Sequence, residues 1–222
     1  MELMKPIRAR LGGKSIDRRN TCSIYYIARE YMQWRIQMEN VYEVCPTFKS
    51  QFITLRQTIF EDAEELLKCY SDVNAVPFFN SDNCNGDTFF YTTVERLKKT
   101  MELWDYSYKH KHFVRWTVIV NKTNEIIGTI EMFHRRADDE FDHYGILRID
   151  LQSKFENREV INYILEITNQ QFYKLFDVRS ILTKAIPTAK ERILSLKENR
   201  FSPLNKKFMI YDDYFIGSQE VM

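Results

Sequence analysis

The hydrophobic pattern of the chain is clearest between Gly145 and Phe172, where two different periods follow each other. From Gly145 to Leu151 every second residue, beginning at Leu147, is apolar, which predicts a strand. Gln152–Arg158 is polar, and after it apolar residues recur every three or four positions as far as Phe172, which predicts a helix. The first amides of a helix have no partner within it, so this strand-to-helix loop is a candidate phosphate-binding site.

The same two periods predict the other elements of the chain. Strand patterns occur at Phe52–Arg56, Phe113–Val120, Glu125–Phe133 and Arg179–Ala185, with further strands at Phe208–Tyr211 and Tyr214–Ile216. Three helices are expected to begin at capping-box sequences, which are Thr58–Glu61, Thr92–Glu95 and Thr188–Glu191. Gly128 interrupts a strand pattern, which indicates a bulge or a close approach of the backbone. Helices that separate strands in this order predict a mixed sheet covered on both faces, hence an α/β or α+β fold.

The first 50 residues differ from the remainder. Met1–Asn20 is basic and polar without periodicity, whereas Cys22–Met38 carries apolar residues at helical spacing. Cys45 and Pro46 close this stretch, because a proline restricts the residue before it. We therefore expect a partly helical N-terminal extension over residues 1–50 and one domain over residues 51–222.

Composition narrows the classes of partner. The formal net charge is +1, so no general field attracts nucleic acid or an anionic membrane. No apolar run approaches the roughly 18 residues that span a bilayer, and no signal-peptide core follows the N-terminus. The four cysteines have no CxxC spacing, which favours free thiols in a reducing compartment. The sequence predicts a soluble cytoplasmic protein that binds neither nucleic acid nor membrane.

Two polar stretches have some features of metal sites, but neither has a complete ligand set. His110 and His112 lack cysteine or carboxylate partners at metal-binding spacing. Ser81–Gly86 resembles a calcium loop, yet it starts without aspartate and has Thr92 where a bidentate glutamate is required. We predict no metal. The surrounding loop, Val76–Tyr91, is long and aromatic, and it either forms a substrate wall or lid or packs onto the core.

Four stretches, taken in order and spacing, resemble the GNAT acyltransferase family, especially its ribosomal-protein alanine N-acetyltransferase branch. They are Leu55–Ala63, Trp116–Thr129, Gly145–Leu165 and Ile186–Phe201. The resemblance implies a central, mostly antiparallel sheet with a splayed pair of parallel strands and helices on both faces. The parallel pair would be Gly145–Leu151 and Ile181–Ala185.

The resemblance also implies a reaction, in which an amine directly attacks the thioester of acetyl-CoA bound between the two splayed strands. The acceptor would be a primary amine of a small molecule or of a protein N-terminus. Cofactor-binding residues at matching positions are Ile149 and Leu151 through their backbone, together with Lys154, Asn157, Arg158 and Lys184. Lys190 and Arg192 are further basic residues that either meet phosphates or lie on a solvated helix face.

Three residues are candidates for proton transfer. Glu131 and Asp150 lie in predicted strands of the resemblance and are candidate bases, and Tyr211 is a candidate acid. Each also has a structural interpretation, as a carboxylate on a sheet face or as an aromatic residue of the core.

The chain departs from the family pattern at four positions. Asn157 and Glu159 stand where the family's phosphate loop has small residues, Ala189 where asparagine is frequent, and Arg200 where glycine precedes Phe201. Glu159 would repel a diphosphate, although the neighbouring arginine partly offsets this. These departures support an alternative function, a catalytically inactive GNAT-fold binding or regulatory protein. The sequence leaves open the acceptor and whether the chain forms a homodimer.

Overall fold

A computed structural model describes residues 40–219 of the 222-residue chain. The chain divides into two compact units, residues 1–39 and 40–222, and the fold below is that of the second unit. The helix predicted at Cys22–Met38 lies outside the described residues. Residues 40–50 contribute the first short strand of the sheet.

Eight strands occur within residues 40–219, and they are β1 Phe48–Lys49, β2 Ile53–Gln57, β3 Val114–Val120, β4 Glu125–His134, β5 Gly145–Leu151, β6 Ser180–Lys184, β7 Ser202–Pro203 and β8 Tyr214–Ser218. They form one sheet in the order β1-β2-β3-β4-β5-β6-β8-β7. Every neighbouring pair is antiparallel except β5 and β6, which are parallel. This confirms the predicted mixed, mostly antiparallel sheet with one parallel pair.

Helices cover both faces of the sheet, as predicted. They are α1 Ala63–Tyr70, α2 Val94–Lys109, α3 Arg158–Ile167 and α4 Lys190–Glu198, and α3 continues through a π-helical stretch, Thr168–Phe172, into a last turn at Tyr173–Leu175. Apolar residues of α3 pack against the strand residues that share the sheet face of Trp116, and together they form the largest core cluster. A second cluster combines α1 and α2 on the opposite face. The alternation along each strand therefore separates two cores.

The N-terminal residues of the helices differ from the predicted ones by one position or more. Thr93, rather than Thr92, caps α2, and its Oγ1 accepts the amide of Arg96 at 3.2 Å. The N-cap of α4 is Ala189, which makes no side-chain capping bond, so the capping box predicted there is wrong. Local sequence permits a cap, but the chain's entry direction into the helix decides which residue occupies it.

The start of α1 and the C-terminal strands also differ from prediction. A 3₁₀ turn, Phe60–Asp62, precedes α1, and the carboxylate of Asp62 accepts the Ile59 amide at 3.1 Å. The same carboxylate pairs with Arg56 Nη1 at 2.8 Å and accepts the Thr117 hydroxyl at 2.7 Å, and these contacts with β2 and β3 hold the turn in place. Phe208–Tyr211 is a turn closed by a single bridge, and β7 lies earlier in the chain than predicted.

Gly128 marks a bulge, as its position in the sequence indicated. The register between β3 and β4 shifts between Val118 and Ile119, and Gly128 has φ +153°. A Cβ at this position would lie 2.0 Å from the carbonyl oxygen of Asp150 on β5. Only glycine allows β4 and β5 to approach this closely.

Two further observations bear on membranes and metals. No helix among the described residues is long and apolar enough to cross a membrane. Residues 40–219 contain no group of three or more histidine, cysteine or acidic side chains that could hold a metal ion. Within the same range, Cys45, Cys69 and Cys84 are free thiols.

Candidate active site

The parallel strands β5 and β6 separate after a short paired segment. Their register runs from Gly145 opposite Ile181 to Leu147 opposite Thr183, and β5 then continues alone on that side to Leu151. We call the gap that opens between the two strands beyond Leu147 and Thr183 the split. Ile149 and Leu151 direct their side chains into the core, so only their backbone is available toward the split. The geometry suits the predicted backbone role of these two residues.

The loop after β5 leads directly into α3. Asn157 is the N-cap of this helix, and its Oδ1 accepts the Val160 amide at 3.1 Å. The amide of Ser153 donates to Asp72 Oδ2 at 2.8 Å, which ties the loop to the end of α1. Glu159 is exposed in the first turn of α3. Asn157 therefore stabilises the start of α3.

The two basic residues predicted at this loop form exposed ion pairs. Lys154 Nζ lies 2.6 Å from Glu125 Oε1, and Arg158 Nε donates to Glu198 Oε2 at 3.0 Å. Exposed pairs of this kind contribute little to stability, because solvent screens them. Both cations can therefore exchange their carboxylate partners for other anions at little cost.

Lys184, at the end of β6, is fixed by the long loop that precedes α2. Its Nζ lies 2.7 Å from Asp82 Oδ1, and Asp82 Oδ2 accepts the hydroxyl of Tyr214 at 3.1 Å. Asn80 Nδ2 also donates to the Tyr214 oxygen, at 3.0 Å. The ring of the predicted acid, Tyr211, lies beside the same ammonium group, with its centroid 5.2 Å away. The loop thus packs against the end of β6 and against β8.

Tyr214 is a tyrosine that the sequence did not single out as a proton donor. Burial raises the pKa of its hydroxyl above the ordinary value, and the nearby Asp82 carboxylate acts in the same direction. A hydroxyl with a raised pKa stays protonated at neutral pH. Both tyrosines of this edge, Tyr211 and Tyr214, are therefore near Lys184, and only the second has its hydroxyl in this hydrogen-bond network.

Two arginines and two carboxylates meet on the face of β3, β4 and β5 that α1 and α2 cover; Arg115 and both carboxylates are buried, and Arg148 is partly buried. Arg115 Nη2 donates to Glu131 Oε2, and Arg148 Nη1 donates to Glu131 Oε1 at 3.1 Å. The guanidinium of Arg115 also lies over the ring of Trp104, 4.1 Å from its centroid. Both oxygens of Glu131 are thus engaged by cations, which leaves this carboxylate poorly placed to accept a proton.

Asp150 occupies the other end of this charge network. Its Oδ2 accepts the hydroxyl of Tyr70 at 3.1 Å and Arg115 Nη1 at 3.3 Å. Its Oδ1 is buried and has no hydrogen-bond partner among the described residues. Burial raises the pKa of Asp150 above its usual value, and the Arg115 guanidinium opposes that shift. Of the two predicted bases, Asp150 is the one with a free oxygen.

Arg192 does not lie on a solvated helix face, which was one of its two interpretations. It is 1% exposed on α4, and its guanidinium points into the split beside β5. Its Nη2 donates to the carbonyl oxygen of Ile149 at 3.0 Å and to Glu156 Oε2 at 2.7 Å. The burial of Arg192 is not visible in the sequence, because its partners come from distant segments.

Other residues of this site were also missed by sequence reasoning. Arg115 was the most detectable, since it interrupts an apolar strand, and a charge in a buried strand requires a partner. Arg148 alternates normally with apolar residues and therefore has the pattern of a solvent-facing position. Glu156 gives no local signal at all.

Comparison with known proteins finds similarity both in sequence and in structure. No family model matches the chain. The uncharacterized N-acetyltransferase YoaA of Bacillus subtilis (strain 168) is 26% identical over 98 residues, which are 42% of this chain and 51% of the relative. The match therefore spans about half the length of that curated relative.

Solved structures match over most of the chain. A GNAT-family acetyltransferase from Bacillus anthracis superposes with a TM-score of 0.58 at 14% identity, covering 78% of this chain and 98% of that one. Ribosomal-protein-S5-alanine acetyltransferase from Vibrio fischeri gives a TM-score of 0.56 at 18% identity, covering 77% and 94%. RimL, a ribosomal L7/L12 α-N-protein acetyltransferase solved with coenzyme A, gives 0.54 at 10% identity, covering 78% and 98%. The chain is similar in sequence to an N-acetyltransferase over part of its length, and it has the fold of the GNAT acetyltransferases.

Proposed function

We propose that the protein is an N-acetyltransferase that transfers the acetyl group of acetyl-CoA to a primary amine of a small molecule or a protein N-terminus. The observation that carries the proposal is the split between β5 and β6, which opens after Leu147 and Thr183 and leads into the N-terminus of α3. An unpaired strand edge offers hydrogen bonds to an extended amide-containing arm. A helix start offers amides to a diphosphate. The unpaired edge of β5 precedes the start of α3 along the chain, and this order matches a cofactor whose pantetheine arm is joined to a diphosphate.

The residues around the split fit the cofactor with one exception. The backbone of Ile149 and Leu151 would hold the pantetheine arm, and Lys154 and Arg158 would exchange exposed carboxylate partners for phosphate. When bound, acetyl-CoA supplies an activated acetyl thioester. The exception is Arg192, whose guanidinium already donates a hydrogen bond to the carbonyl oxygen of Ile149.

We assign proton transfer to two places, the buried residues of the α1 and α2 face and the tyrosines beside Lys184. We propose Asp150 as the base, because its free oxygen and raised pKa suit a group that accepts a proton from an ammonium acceptor. Glu131 then serves to hold Arg115 and Arg148 in place. Tyr211 is the proposed acid, and Tyr214 is the alternative hydroxyl at the same edge.

We propose a cytoplasmic location as well, since the cysteines have no pairing motif and acetyl-CoA is an intracellular substrate class. The described thiols are unpaired, which supports this proposal. Whether two copies associate stays a prediction.

The proposal is tested with full-length protein, acetyl-CoA and a panel of amines that includes short peptides with different N-termini. We expect saturable thiol release that depends on the amine, together with heat of acetyl-CoA binding in a calorimetric titration. Asp150→Asn should lower kcat by about 10²–10⁴-fold with little change in cofactor affinity. Lack of both heat and thiol release at millimolar acetyl-CoA would overturn the proposal and favour the inactive GNAT-fold protein.

Glu159→Gly provides a second variant for the same titration. If Glu159 repels the diphosphate, its removal should strengthen acetyl-CoA binding. Binding that is equal in wild type and variant would show that this exposed carboxylate does not obstruct the cofactor.

A further inference from the structure

The split between β5 and β6 is closed by one buried ion pair. Arg192 of α4 reaches into it with Nε 2.6 Å from Glu156 Oε1 and Nη2 2.7 Å from Glu156 Oε2. The two side chains are 2% and 5% exposed. This is the two-pronged geometry in which a guanidinium binds a carboxylate most strongly.

The same guanidinium also binds two backbone carbonyls from different segments. Its Nη2 donates to Ile149 on β5 at 3.0 Å, and its Nη1 donates to Phe78 at 2.9 Å. Ile149 lies two residues beyond the last paired position of the parallel strands, Leu147 opposite Thr183. A buried carbonyl without a partner is costly, and Arg192 supplies the partner that β6 does not.

We infer that the Arg192–Glu156 pair is a gate in the cofactor cleft, and that coenzyme A enters only when this pair separates. The inference rests on the proposed function and adds a step that controls binding at the same site. The pantetheine arm and the guanidinium compete for the Ile149 carbonyl, because both are donors to the strand edge that β6 leaves unpaired.

The components of the gate come from segments that can move apart. Arg192 is on α4, Glu156 is in the loop before α3, and Phe78 belongs to the loop before α2. None of these three contacts is part of the hydrogen-bond ladder of the sheet. A buried ion pair also contributes little net stability, since desolvation opposes the attraction of its charges. Separation of the pair therefore leaves the sheet intact.

A closed gate lowers the apparent affinity for the cofactor in proportion to the fraction of open molecules. If the open form is about one tenth of the population, removal of the gate strengthens binding about tenfold. Glu159 and Arg200, where the sequence differs from the family pattern, would not account for this gain in cofactor affinity, since neither residue belongs to the Arg192–Glu156 pair.

The test is a calorimetric titration of the full-length protein with coenzyme A and with acetyl-CoA. Arg192→Ser alone leaves Glu156 without its cation, so the principal variant is the double substitution Arg192→Ser/Glu156→Gln, which removes both charges. The matched control is Lys68→Ser/Glu65→Gln, an exposed ion pair on α1 with an Nζ–Oε1 distance of 2.7 Å. Thermal unfolding of all three proteins verifies that each is folded.

We expect the Arg192→Ser/Glu156→Gln variant to bind both ligands about tenfold or more tightly than wild type, and the control to match wild type. Measurable binding by wild type with equal or weaker binding by the gate variant would overturn the gate and leave the acetyl-CoA proposal standing. Binding by none of the three folded proteins would overturn the proposed function and the gate together.

Discussion

Two buried sets of opposite charges lie near the candidate active site, and they are built in different ways. The first set joins Arg115, Glu131, Arg148 and Asp150, which come from the neighbouring strands β3, β4 and β5. The second set is the Arg192–Glu156 pair, which joins a helix to a loop. Both are charge-balanced and, apart from the partly buried Arg148, buried, but only the first lies on strands joined by a continuous ladder of hydrogen bonds.

The difference indicates that burial alone does not distinguish charges that form a rigid framework from a pair that can separate. The backbone that carries the strand-borne network is fixed by the sheet ladder, so its side chains stay close together around Asp150. The helix-to-loop pair can separate while the ladder stays whole. We therefore expect changes in the first set to affect stability and changes in the second to affect cofactor binding.

The largest expected effect is the loss of Arg115. Arg115→Leu leaves Glu131 and Asp150 buried without their common cation, and removal of one partner of a buried pair costs about 3–5 kcal/mol. The free energy of unfolding in urea should fall by that amount. Arg192→Leu is the comparison variant and should cost less, because Glu156 lies in a loop and can turn toward water. Equal losses in the two variants would contradict the distinction between framework and gate.

A smaller loss is expected at the bulge that brings β4 against β5. Gly128→Ala places a Cβ 2.0 Å from the Asp150 carbonyl oxygen at φ +153°, so it combines a clash with backbone strain. The unfolding free energy should fall by clearly more than the about 1–2 kcal/mol that a left-handed backbone alone costs an L residue. Gly86→Ala is the matched control, since it also has positive φ, +84°, but nothing within 4 Å. It should cost about 1–2 kcal/mol from the backbone alone. A larger loss at Gly86 than at Gly128 would contradict the close approach of β4 and β5.

The smallest effect concerns the pH dependence of stability. The pKa of Asp150 is raised by burial in the folded protein, so the folded state binds this proton more tightly than the unfolded state. Asp150 therefore adds stability below its unfolded pKa of about 3.9, and this contribution is lost as pH rises through the raised value.

Asp150→Asn removes that dependence. Between about pH 4 and the raised pKa, the unfolding free energy of the variant should fall less, or rise more, with pH than that of wild type. Urea unfolding over a pH series measures both slopes, and Glu65→Gln on the exposed face of α1 is the control. Identical slopes for wild type and Asp150→Asn would show that the network compensates the burial of this carboxylate completely.

The sheet could be predicted from the sequence because its strands have a local period. Phe113–Val120 and Glu125–Phe133 were expected within a residue or two of β3 and β4, and Gly128 indicated the bulge. The resemblance of four stretches to one family supplied the parallel pair. Local periodicity is sufficient for elements whose burial repeats every two or every three to four residues.

The gate could not be predicted, because its contacts join residues far apart in the chain. Arg192 is 36 residues from Glu156 and 114 residues from Phe78. On α4 the arginine follows Lys190 and Glu191, and this charged run has the pattern of a solvated face. The prediction of the N-cap of α4 was wrong for a related reason. Thr188 has a residue type that favours capping, but the chain enters α4 at Ala189.

Hydrogen–deuterium exchange with and without acetyl-CoA locates the cofactor on the chain. We expect slower exchange in peptides that cover Ile149–Val160, at the strand edge and the start of α3. We also expect faster exchange around Phe78 and Arg192, where the gate contacts are broken. Protection confined to other segments, with Ile149–Val160 unchanged at saturating acetyl-CoA, would contradict the assignment of the split as the cofactor site.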